Sequence, residues 1–542
     1  MKPVHASDMF DAVLIGSGIG SLTTAAILAD NGMHVVVLER HNQLGGYTQS
    51  FQRQSWYWDV AVHYISCMEP GELFFHGCRY LTDNRIRWKK MPNVFDHYCF
   101  PDFQVDVPST PEEYRRHLKS LFPGECHAVD RYFDDLLSFK KKLAWLWVPK
   151  LLPIPILRFL RPLLRLAFRK IPEQSTGQYF DRIGCSEKLK AAICAPWGTF
   201  GGLPGESSIY EHWLTPGSYL YGAWYPAGGA SSVPKSLRRF IENRGGSIRT
   251  NASVKEIVMD NSEKKVSGVK LDSGELIRGK AVISGIGVWS TFTKLVPEHS
   301  VPSEMREVLG EYENSVSYVQ LFAGLNDDPS TISGIDGSNY WISSTTKFPQ
   351  RIKELKSDQD DRLAIESVML TFPSLKDPAA TSHTLTICAW VNYGFFEKWA
   401  KSKSQDRPVD YEVIKTNLKE ALLELVLMKF PQLRHLIDYT VVGTPLTVEH
   451  YMGHTKGSAY GLSSPPGRYN DYRLRPKTAI DGLFLTGSDI ASSGVPGAFA
   501  GGVFCASVIL KKNVAAALIR LDKEHYGDIP VQQDSTVLQG SQ

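Results

Sequence analysis

The feature that most constrains the fold is the stretch at residues 11–39, DAVLIGSGIGSLTTAAILADNGMHVVVLE. Apolar runs at residues 12–15 and 35–38 predict two short strands, and the small residues of 21–30 predict a helix between them. A strand, a glycine-rich turn, a helix and a second strand within about 30 residues form the βαβ unit that binds dinucleotides. The sequence therefore predicts a Rossmann-type nucleotide-binding domain.

Several residues of this unit are predicted to contact the dinucleotide. Gly16 permits a tight turn, and Gly18 lets the backbone approach a pyrophosphate at the N-terminus of the helix. Ser21 replaces the usual third glycine and keeps a small residue at that position. Glu39 follows the second strand, where a carboxylate can accept hydrogen bonds from both hydroxyls of the adenosine ribose. Arg40 is next to it and is also predicted to contact the cofactor.

The sequence after the second strand indicates which dinucleotide binds. Residues 39–51, ERHNQLGGYTQSF, place Gly45, Gly46 and Tyr47 shortly after the acidic residue, a pattern that resembles the extended FAD signature. Two glycines allow a loop to pass close under a ribityl chain and a flavin ring, where a Cβ atom would clash. We therefore predict that FAD is the cofactor.

A second glycine-rich segment, DGLFLTGSDIASSGVPGAFAGGVFCASVIL, lies at residues 481–510 and predicts a helix that begins at residue 496. The N-terminus of that helix is expected to face the flavin C2 carbonyl and N1, which become electron-rich on reduction. Asp489 is expected to bind the ribityl or pyrophosphate side of the cofactor. The predicted cofactor contacts in this segment are Gly487, Asp489, Gly497 and Ala498.

Between these segments, residues 244–284 predict a β-meander, with the backbone near Val254 as the adenine contact. The predicted fold class is therefore α/β, a two-domain flavoprotein. Its Rossmann-type FAD domain combines a parallel sheet with the β-meander, and its α+β substrate domain contains a mixed sheet. The predicted ranges are 9–70, 225–300 and 455–515 for the FAD domain, 71–224 and 301–454 for the substrate domain, and 525–542 for a disordered tail.

With these motifs the chain resembles the retinol saturase and carotenoid isomerase group of FAD oxidoreductases, which is related to the phytoene desaturases. The resemblance spans residues 9–512 and rests on GSGIGSLTTAAILA, LERHNQLGGYTQSF, WDVAVHYISCMEPG, GAWYPAGGASSVP, FPSLKDP, GTPLTVEHY, KGSAYGL and LFLTGSDIASSGVPGAFAGG. It implies saturation or cis-to-trans isomerisation of a double bond in a hydrophobic polyene, a retinoid or a carotenoid. The sequence departs from the pattern of the group at Ser21, Ala61 and Ser488.

Chemistry at a flavin requires a polyene carbon positioned at the flavin N5 and a proton that is supplied or removed. His63 and Tyr64, in WDVAVHYI, are predicted to lie on a strand after the paired glycines and are the candidate catalytic residues. A buried structural histidine is the alternative for His63. Trp224, Tyr225 and Tyr460 are predicted to line the polyene tunnel, with plain core packing as the alternative.

Residues 140–171 are predicted to form a membrane-facing mouth of that tunnel. In a helix over 156–171, one face carries Arg158, Arg161, Arg165 and Arg169, and another carries Leu157, Leu160, Leu164 and Phe168. Such a helix can lie in a membrane interface, and Lys140, Lys141, Lys142, Trp145, Trp147 and Lys150 extend its basic and aromatic field. The alternative is a helix packed on the protein core with a solvated basic face.

Composition narrows the remaining classes of function. A net charge of +3 with 22% charged residues gives no indication of nucleic-acid binding. The eight cysteines form no CxxC pair, and His450 and His454 lack further ligands at a suitable spacing, so no metal site is predicted. No apolar run reaches the roughly 20 residues that span a bilayer, so we expect a cytoplasmic protein that binds a membrane surface peripherally.

Two alternatives to polyene saturation or isomerisation stay open at this point. A desaturase would run the flavin in the opposite direction and would need an electron acceptor. A prenyl-binding escort protein would use the same fold without redox chemistry. The electron donor of a saturase is not identified, because the sequence contains no second nucleotide motif.

Overall fold

The computed structural model describes residues 9–168, 173–260, 264–349, 365–402 and 406–527. Its strands are β1 (Phe10–Ile15), β2 (Val35–Leu38), β3 (Ser50–Arg53), β4 (Trp56–Asp59), β5 (Trp88–Lys90), β6 (Val94–Cys99), β7 (Gln104–Pro108), β8 (Trp224–Pro226), β9 (Ser247–Arg249), β10 (Val254–Met259), β11 (Val266–Leu271), β12 (Leu276–Ser284), β13 (Ser317–Leu325), β14 (Asn339–Ser343), β15 (Ser367–Thr371), β16 (His383–Val391), β17 (Ile437–Gly443) and β18 (Leu483–Leu485). Its α-helices are α1 (Ile19–Asp30), α2 (Leu73–Leu81), α3 (Pro111–Leu121), α4 (Cys126–Lys140), α5 (Leu143–Leu151), α6 (Ile154–Ala167), α7 (Thr176–Ile183), α8 (Glu187–Cys194), α9 (Ile209–Leu214), α10 (Ser232–Asn243), α11 (Val288–Ser290), α12 (Ser303–Glu311), α13 (Pro373–Lys376), α14 (Val409–Lys429), α15 (Leu433–Leu436), α16 (Pro445–Met452), α17 (Gly494–Leu510) and α18 (Val514–Tyr526).

The first sheet is the nucleotide-binding sheet, in which the parallel strands follow the order β18, β12, β1, β2, β9. Residues 276–278 of β12 also pair with β11, which pairs with β10, so an antiparallel β-meander extends the same sheet. Both faces of β1 are buried, with Ala12 and Leu14 packed on one side and Val13 and Ile15 on the other. A parallel sheet covered on both faces requires such unbroken apolar strands. The predicted parallel sheet with its β-meander is confirmed.

Helices α1 and α17 pack closely together on one face of this sheet. A Cβ atom on Gly20 of α1 would lie 2.5 Å from the Cα atom of Gly487, and one on Gly502 of α17 would lie 2.7 Å from the carbonyl oxygen of Gly20. These separations leave no room for any side chain, so the packing requires glycine. The contact joins the N-terminal and C-terminal glycine-rich motifs in space.

The second sheet has the strand order β17, β13, β16, β15, β14, β6, β7. All of its pairs are antiparallel except β14 with β6, which is parallel. Helix α14 covers one face, where Leu418, Leu422 and Val426 pack against the strands. The other face is turned towards the helical layer of residues 111–221 and the cavity described below. The predicted mixed sheet is therefore confirmed.

Helix α2 falls within the range predicted for the substrate domain, 71–224, but it packs in the core of the nucleotide-binding domain together with α1 and α18. Asp522 of α18 anchors it. The guanidinium of Arg79 donates to both carboxylate oxygens at 2.7 and 2.6 Å, and the Nδ1 atom of His76 lies 2.6 Å from the same group. A long-range ion pair of this kind carries no signal in the local sequence.

Helix α18 ends at Tyr526, so the predicted tail at 525–542 begins inside a helix, and its residues 528–542 lie outside the described part of the chain. In the described ranges, no single helix has both the length and the apolar character required to cross a bilayer. The pair α17 and α18, bent by 107°, meets that test only when both helices are counted together.

Helices α5 and α6 form the segment predicted to face a membrane, and its apolar surface differs from the prediction. Leu157 and Phe168, expected to enter lipid, are buried against the protein. The exposed apolar side chains are instead Trp145, Val148, Ile154, Ile156, Phe159, Leu163 and Leu166, which we call the exposed apolar patch. Arg169 and the side chains of Arg158, Arg161, Leu164 and Arg165 lie outside the described part of the structure.

Two further residues of this segment face inwards. Lys150, expected to extend the basic field, is 1% exposed, and its ammonium donates to the carbonyl oxygen of Ile490 at 3.3 Å. Burial lowers the pKa of Lys150 to about 7. The ring of Trp147 packs against Phe504 of α17 at 5.6 Å. Helix α5 is thus attached to the C-terminal glycine-rich segment, while α6 carries most of the exposed apolar patch.

Candidate active site

One continuous cavity of about 520 Å³ runs from the carboxyl ends of the nucleotide-binding strands to the second sheet. The predicted site residues that line it are Gly16, Gly18, Glu39, Arg40, Gly45, Gly46, Tyr47, His63, Tyr64, Val254, Tyr460, Gly487 and Ala498. The predicted site residues that lie outside its wall are Ser21, Trp224, Tyr225, Asp489 and Gly497. The cavity therefore unites the N-terminal turn, the paired glycines and the C-terminal motif.

The glycine turn delivers the N-terminus of α1 to the cavity. Gly16 has a φ of +83°, a conformation that glycine adopts without strain, and Gly18 is the residue that caps the helix. The helix begins at Ile19, earlier than the sequence predicts. Ser21 does not line the cavity. Its side chain is packed against Gly285, where a Cβ atom would overlap the Ser21 Oγ atom at 1.9 Å. Ser21 therefore packs α1 against the loop that follows β12.

Glu39 lies at the end of β2, beside this turn. The backbone N–H and the hydroxyl of Ser17 both donate to its Oε2 atom, at 3.0 and 2.5 Å, and the backbone N–H of His41 donates to Oε1 at 2.9 Å. These three bonds hold the carboxylate at the cavity wall. Its oxygens can accept further donors such as ribose hydroxyls. Next to it, the Arg40 guanidinium donates to the carbonyl oxygen of His450 at 2.5 Å.

The paired glycines close the turn from the opposite side. Gly45 and Gly46 have φ values of +112° and +54°, and the N–H of Gly45 donates to the carbonyl oxygen of Ser17 at 3.1 Å. This bond joins the paired-glycine loop to the N-terminal turn, so that backbone rather than side chain faces the cavity. Tyr47 follows at the wall, and its hydroxyl donates to the carbonyl oxygen of Ser458 at 2.7 Å.

The C-terminal helix α17 also begins at the cavity, where Gly494, Val495 and Pro496 form part of the wall. Its start lies two residues before the predicted position 496. Gly497 is outside the wall, because a Cβ atom there would lie 2.1 Å from the carbonyl oxygen of Ser492. Gly497 therefore serves the packing of the preceding loop, while Ala498 reaches the cavity.

Asp489 is buried beneath the cavity rather than at its wall. The backbone N–H of Val288 donates to its Oδ2 atom at 2.7 Å, and the backbone N–H of Leu462 donates to Oδ1 at 3.0 Å. Both carboxylate oxygens are thus engaged by two loops that border the cavity. Asp489 lines a small adjoining cavity of about 50 Å³, which shares Gly487 and Ser488 with the main one.

This half of the cavity fits FAD. Its wall is glycine backbone at Gly16, Gly18, Gly45 and Gly46, which leaves room for a pyrophosphate and a ribityl chain. Two helix N-termini reach the wall and favour negative charge on a bound group. Val254 and its neighbours line the end beyond Glu39, where an adenine can bind. The residues that would hold FAD are therefore drawn from all three glycine-rich segments.

The opposite half of the cavity is walled by the second sheet. Because side chains alternate along a strand, Tyr318 and Gln320 of β13 face the cavity, whereas Val319 and Leu321 pack beneath α14. The same alternation acts on the neighbouring strands. The side chains that pair across them in one row are Gln320, Cys388, Met369 and Trp341, with Tyr318 and Trp390 paired in the next row. We call these two rows the sheet floor.

The sheet floor is mostly aromatic and sulfur-containing. The indoles of Trp341 and Trp390 stack with ring centroids 5.5 Å apart and planes 9° apart. Among the described residues that line the cavity, the acidic ones are Glu39 and Asp272, both at the nucleotide end. A cationic substrate would therefore lack a carboxylate at the floor, while a flat apolar chain would find a matching surface.

His63 lies above the floor, in a loop rather than on the predicted strand. Strand β4 pairs only with β3 as a hairpin and ends at Asp59, so the chain leaves the ladder before it reaches His63. The Nε2 atom of His63 lies 3.6 Å from the Sγ atom of Cys388. Burial and the nearby Lys376 ammonium lower the pKa of His63 to about 3. The imidazole is therefore neutral near pH 7 and cannot supply a proton as imidazolium.

Tyr64 lies between the main cavity and a small adjoining cavity of about 30 Å³. Its hydroxyl donates to the Oδ2 atom of Asp96 at 3.1 Å, and its ring packs edge-on against Tyr219 at 4.4 Å. Burial raises the pKa of Tyr64 well above 10, and burial also raises the pKa of Asp96 to about 7. Of the two predicted catalytic residues, Tyr64 is the one whose side chain hydrogen-bonds a carboxyl group.

Trp224 and Tyr225 do not reach the half of the cavity that is walled by the sheet floor. Trp224, on β8, packs in the core of the nucleotide-binding domain and pairs with Lys90 of β5. The hydroxyl of Tyr225 donates to Asp59 in a separate pocket. Both belong to the GAWYPAGG motif, whose residues 224–226 form β8 and pair with β5. Only Tyr460 of the three predicted wall residues lines the cavity.

The sequence interpretation missed the sheet floor and the buried groups behind it. The missed residues are Asp96, Gln320, Asn339, Trp341, Met369, Lys376, Cys388 and Trp390. One available signal was a polar residue inside an apolar strand, such as Gln320 in VSYVQLFAGL or Asp96 in VFDHYC. Lys376 belonged to the FPSLKDP motif, but neither its burial nor its partners follow from that motif.

Comparison with known proteins agrees with the geometry. A model of the family described as flavin-containing amine oxidoreductase matches residues 22–510. All-trans-retinol 13,14-reductase of Danio rerio is 31% identical over 95% of this chain and 88% of its own length, and prolycopene isomerase of Daucus carota is 26% identical over 92% and 79%. Cyclohexylamine oxidase from Brevibacterium oxydans shares the fold, with 17% identity, a TM-score of 0.59, and coverage of 95% of this chain and 99% of that structure.

Proposed function

This chain belongs to the flavin-containing amine oxidoreductase family and is an FAD-dependent oxidoreductase, and from that premise we propose that it reduces a carbon–carbon double bond of a hydrophobic polyene. The relatives at 26–31% identity are a retinol 13,14-reductase and a prolycopene isomerase, so the proposed substrate class is a retinoid or a carotenoid. Saturation is the proposed reaction. If the test described below shows isomerisation instead, the protein is an isomerase of the same substrate class.

The observation that carries this proposal is the pairing of a glycine-built FAD cradle with an apolar sheet floor in one cavity. Flavin chemistry supplies hydride exchange at N5 when the cofactor is bound. The side chains of Trp341, Met369 and Trp390 hold the polyene flat and exclude water from it. The floor offers no counter-charge for an amine, which distinguishes this site from one for amine oxidation.

Saturation also consumes a proton, and Tyr64 is the proposed donor. It lines the cavity and stays protonated at neutral pH. His63 shares the wall but is neutral, so its proposed role is to close the cavity above Cys388. General acid catalysis of this kind contributes roughly 10²–10⁴-fold to a rate.

The exposed apolar patch is the proposed membrane-docking surface. Soluble proteins rarely expose large apolar patches, and seven apolar side chains within residues 145–166 are exposed here, Phe159 by 83%. The patch belongs to the same segment as Lys150, whose ammonium donates to Ile490 in the loop that precedes α17. A polyene that leaves the bilayer at this patch would therefore enter close to the cavity. This surface is the support for the proposed peripheral attachment to a membrane.

The proposed function is tested with the purified protein in detergent. Its flavin is reduced under anaerobic conditions, and the protein is incubated with all-trans-retinol and separately with a poly-cis carotene. A product that is two hydrogens heavier, with a blue-shifted absorption spectrum, is the expected result. A product of unchanged mass would make the protein an isomerase. A colourless protein that binds the polyene without converting it would overturn the proposal in favour of an escort protein.

A further inference from the structure

Lys376, at the end of the short helix α13, is buried behind the wall formed by His63 and Tyr64, with 2% of its surface exposed. Its ammonium donates to the carbonyl oxygen of His63 at 2.9 Å, to the Thr371 hydroxyl oxygen at 2.6 Å and to the Asn339 Oδ1 atom. A lysine has three donor hydrogens and no acceptor, so all of its capacity is used. A buried charge held this completely requires an explanation beyond packing.

The ammonium determines the orientation of Asn339. While Lys376 is protonated it can only donate, so the carbonyl oxygen of the Asn339 amide faces it and the NH₂ group points the other way. That NH₂ group donates to the Oδ1 atom of Asp96 at 3.0 Å. Asn339 and Asp96 are register partners on β14 and β6, in the sheet that forms the floor.

The orientation of Asn339 in turn selects one oxygen of Asp96 for Tyr64. Oδ1 is occupied by the amide, so Oδ2 is the atom that meets the Tyr64 hydroxyl at 3.1 Å. When Asp96 is ionised, Tyr64 must donate to it, and its hydroxyl hydrogen points away from the main cavity. When Asp96 is protonated, Oδ2–H can donate to the Tyr64 oxygen and leave the Tyr64 hydrogen free to face the cavity.

We propose that Asp96 is the internal acid that returns to Tyr64 the proton consumed when a double bond is saturated. Lys376 is the positioning residue of this pair, because it fixes the Asn339 amide that orients the Asp96 carboxyl group. The inference rests on the proposed function and deepens it, since it names the source of the proton.

The proton balance of this step is closed. The O–H bond of Tyr64 breaks and a C–H bond forms at one carbon of the double bond, whose other carbon receives the hydride that the oxidoreductase activity supplies. The O–H bond of Asp96 breaks and the Tyr64 O–H bond forms again. Asp96 is left as a carboxylate near the Lys376 ammonium and is protonated again from solvent before the next turnover.

The pKa values of these groups are consistent with Asp96 as a proton donor to Tyr64. Burial raises the pKa of Asp96 to about 7 and lowers the pKa of Lys376 to about 7, while each group favours the charged form of the other. The other titratable groups that face Asp96 are Tyr64, Tyr98, Tyr114 and Tyr219, and those that face Lys376 are Asp59, His63 and Asp336. Asp96 is therefore protonated below about pH 7, so saturation is expected to fall as pH rises through about 7.

The test uses Asp96→Asn and Lys376→Met in the flavin-loaded protein. Asp96→Asn keeps an acceptor for Tyr64 but has no acidic proton to transfer. Its saturation rate is therefore expected to fall roughly 10²-fold or more and to lose its pH dependence. Lys376→Met removes the charge that lowers the pKa of Asp96, so the pH midpoint is expected to move upwards. A purely structural role of Lys376 would reduce activity without moving that midpoint.

Matched controls exist elsewhere in the substrate domain. Asp135 is also buried and accepts from a tyrosine hydroxyl, that of Tyr179 at 3.2 Å, and Asp135→Asn is expected to leave the pH profile unchanged. Lys190 is 7% exposed and pairs with Asp181 and Glu187 at the surface. Lys190→Met is therefore the control for the loss of a nearly buried ammonium.

A second readout needs no turnover. Burial also raises the pKa of Glu173 to about 7 and of Asp59 to about 6, so the readout is the infrared difference between the wild-type protein and Asp96→Asn. That difference should contain a carboxyl carbonyl stretch that disappears as pH rises with a midpoint of about 7, and the same band should persist to higher pH in Lys376→Met. An infrared difference without such a band, together with an unchanged pH profile of saturation in Asp96→Asn, would overturn the inference. Inactivity of the wild-type protein on every polyene would instead defeat the proposed function, while the infrared result would still decide the state of Asp96.

Discussion

The two halves of the cavity are built by different means. The FAD half is made of backbone, with glycines at the turn before α1 and in the paired-glycine loop. The polyene half is made of side chains that project from β13, β14, β15 and β16 of the second sheet. The first half binds through atoms that every residue has, so it depends on the absence of side chains. The second half depends on their identity.

This difference teaches what each half tolerates. Where backbone approaches backbone, one added methyl group must displace a whole segment. Where a side chain forms a surface, a neighbour of similar volume can replace it at small cost. The comparison therefore predicts that conservative changes in the FAD half have larger effects than conservative changes at the sheet floor.

The largest effect is expected from Gly20→Ala. The new Cβ atom would lie 2.5 Å from the Gly487 Cα atom and would separate α1 from the C-terminal motif. Overpacking of this kind costs about 1–3 kcal/mol even when the neighbours relax. The purified variant is expected to lose its flavin, as measured by the ratio of flavin to protein absorbance. Gly124→Ala, where a Cβ atom meets no atom within 4 Å, is the control and is expected to keep full flavin content.

Tyr64→Phe is expected to lower the saturation rate by roughly 10²–10⁴-fold while flavin content stays normal. The measurement is single-turnover reoxidation of the reduced protein by the polyene. Tyr225→Phe is the matched control, because its hydroxyl also binds a buried aspartate, Asp59, but outside the cavity. An equal loss of rate in both variants, at equal thermal stability, would contradict the assignment of the donor to Tyr64.

Phe159→Glu with Leu163→Glu tests the exposed apolar patch, through which the polyene is proposed to reach its half of the cavity. Each removes a large exposed apolar side chain, worth about 1.5–3 kcal/mol when buried in lipid, which corresponds to at least about tenfold in the partition coefficient. The measurement is co-sedimentation with anionic vesicles. Met428→Glu, which changes a 66% exposed apolar residue on α14, should leave sedimentation unchanged. Equal binding by all variants would show that the exposed apolar patch does not dock on membranes.

The smallest effect is expected from Met369→Leu at the sheet floor. The volumes are similar, so the free energy of unfolding should fall by less than about 1.5 kcal/mol. The change alters a surface that contacts the polyene without reacting, so KM should change while kcat stays near its wild-type value. Steady-state kinetics check this split. Loss of flavin from Met369→Leu would break the distinction between the two halves.

Much of the FAD half could be predicted from sequence because its contacts are local. The βαβ unit and the β-meander are contiguous in the chain, and the paired glycines follow Glu39 within a few residues. Contacts across the fold were beyond the reach of this reasoning. Asp489 was predicted as a cofactor contact, and the structure adds that its carboxylate accepts from the backbone of Val288 and Leu462, which the local sequence does not indicate.

The polyene half could be predicted only in outline. The resemblance indicated a polyene and named Tyr460, yet the floor residues Gln320, Met369 and Cys388 come from strands whose pairing no local pattern reveals. The exposed apolar patch shows the same limit. A helix was predicted over 156–171, but which of its faces packs on the protein depends on neighbours that the segment does not encode.

The sequence by itself determined the fold class, the FAD cofactor and the backbone turns that receive it, because glycine spacing and strand periodicity are properties of a continuous stretch of chain. The tertiary structure alone decided the sheet floor and the buried path from Lys376 through Asn339 to Asp96. Those groups acquire their chemistry from burial and from one another. Strand register and desolvation, which act between segments far apart in the chain, are the physical causes.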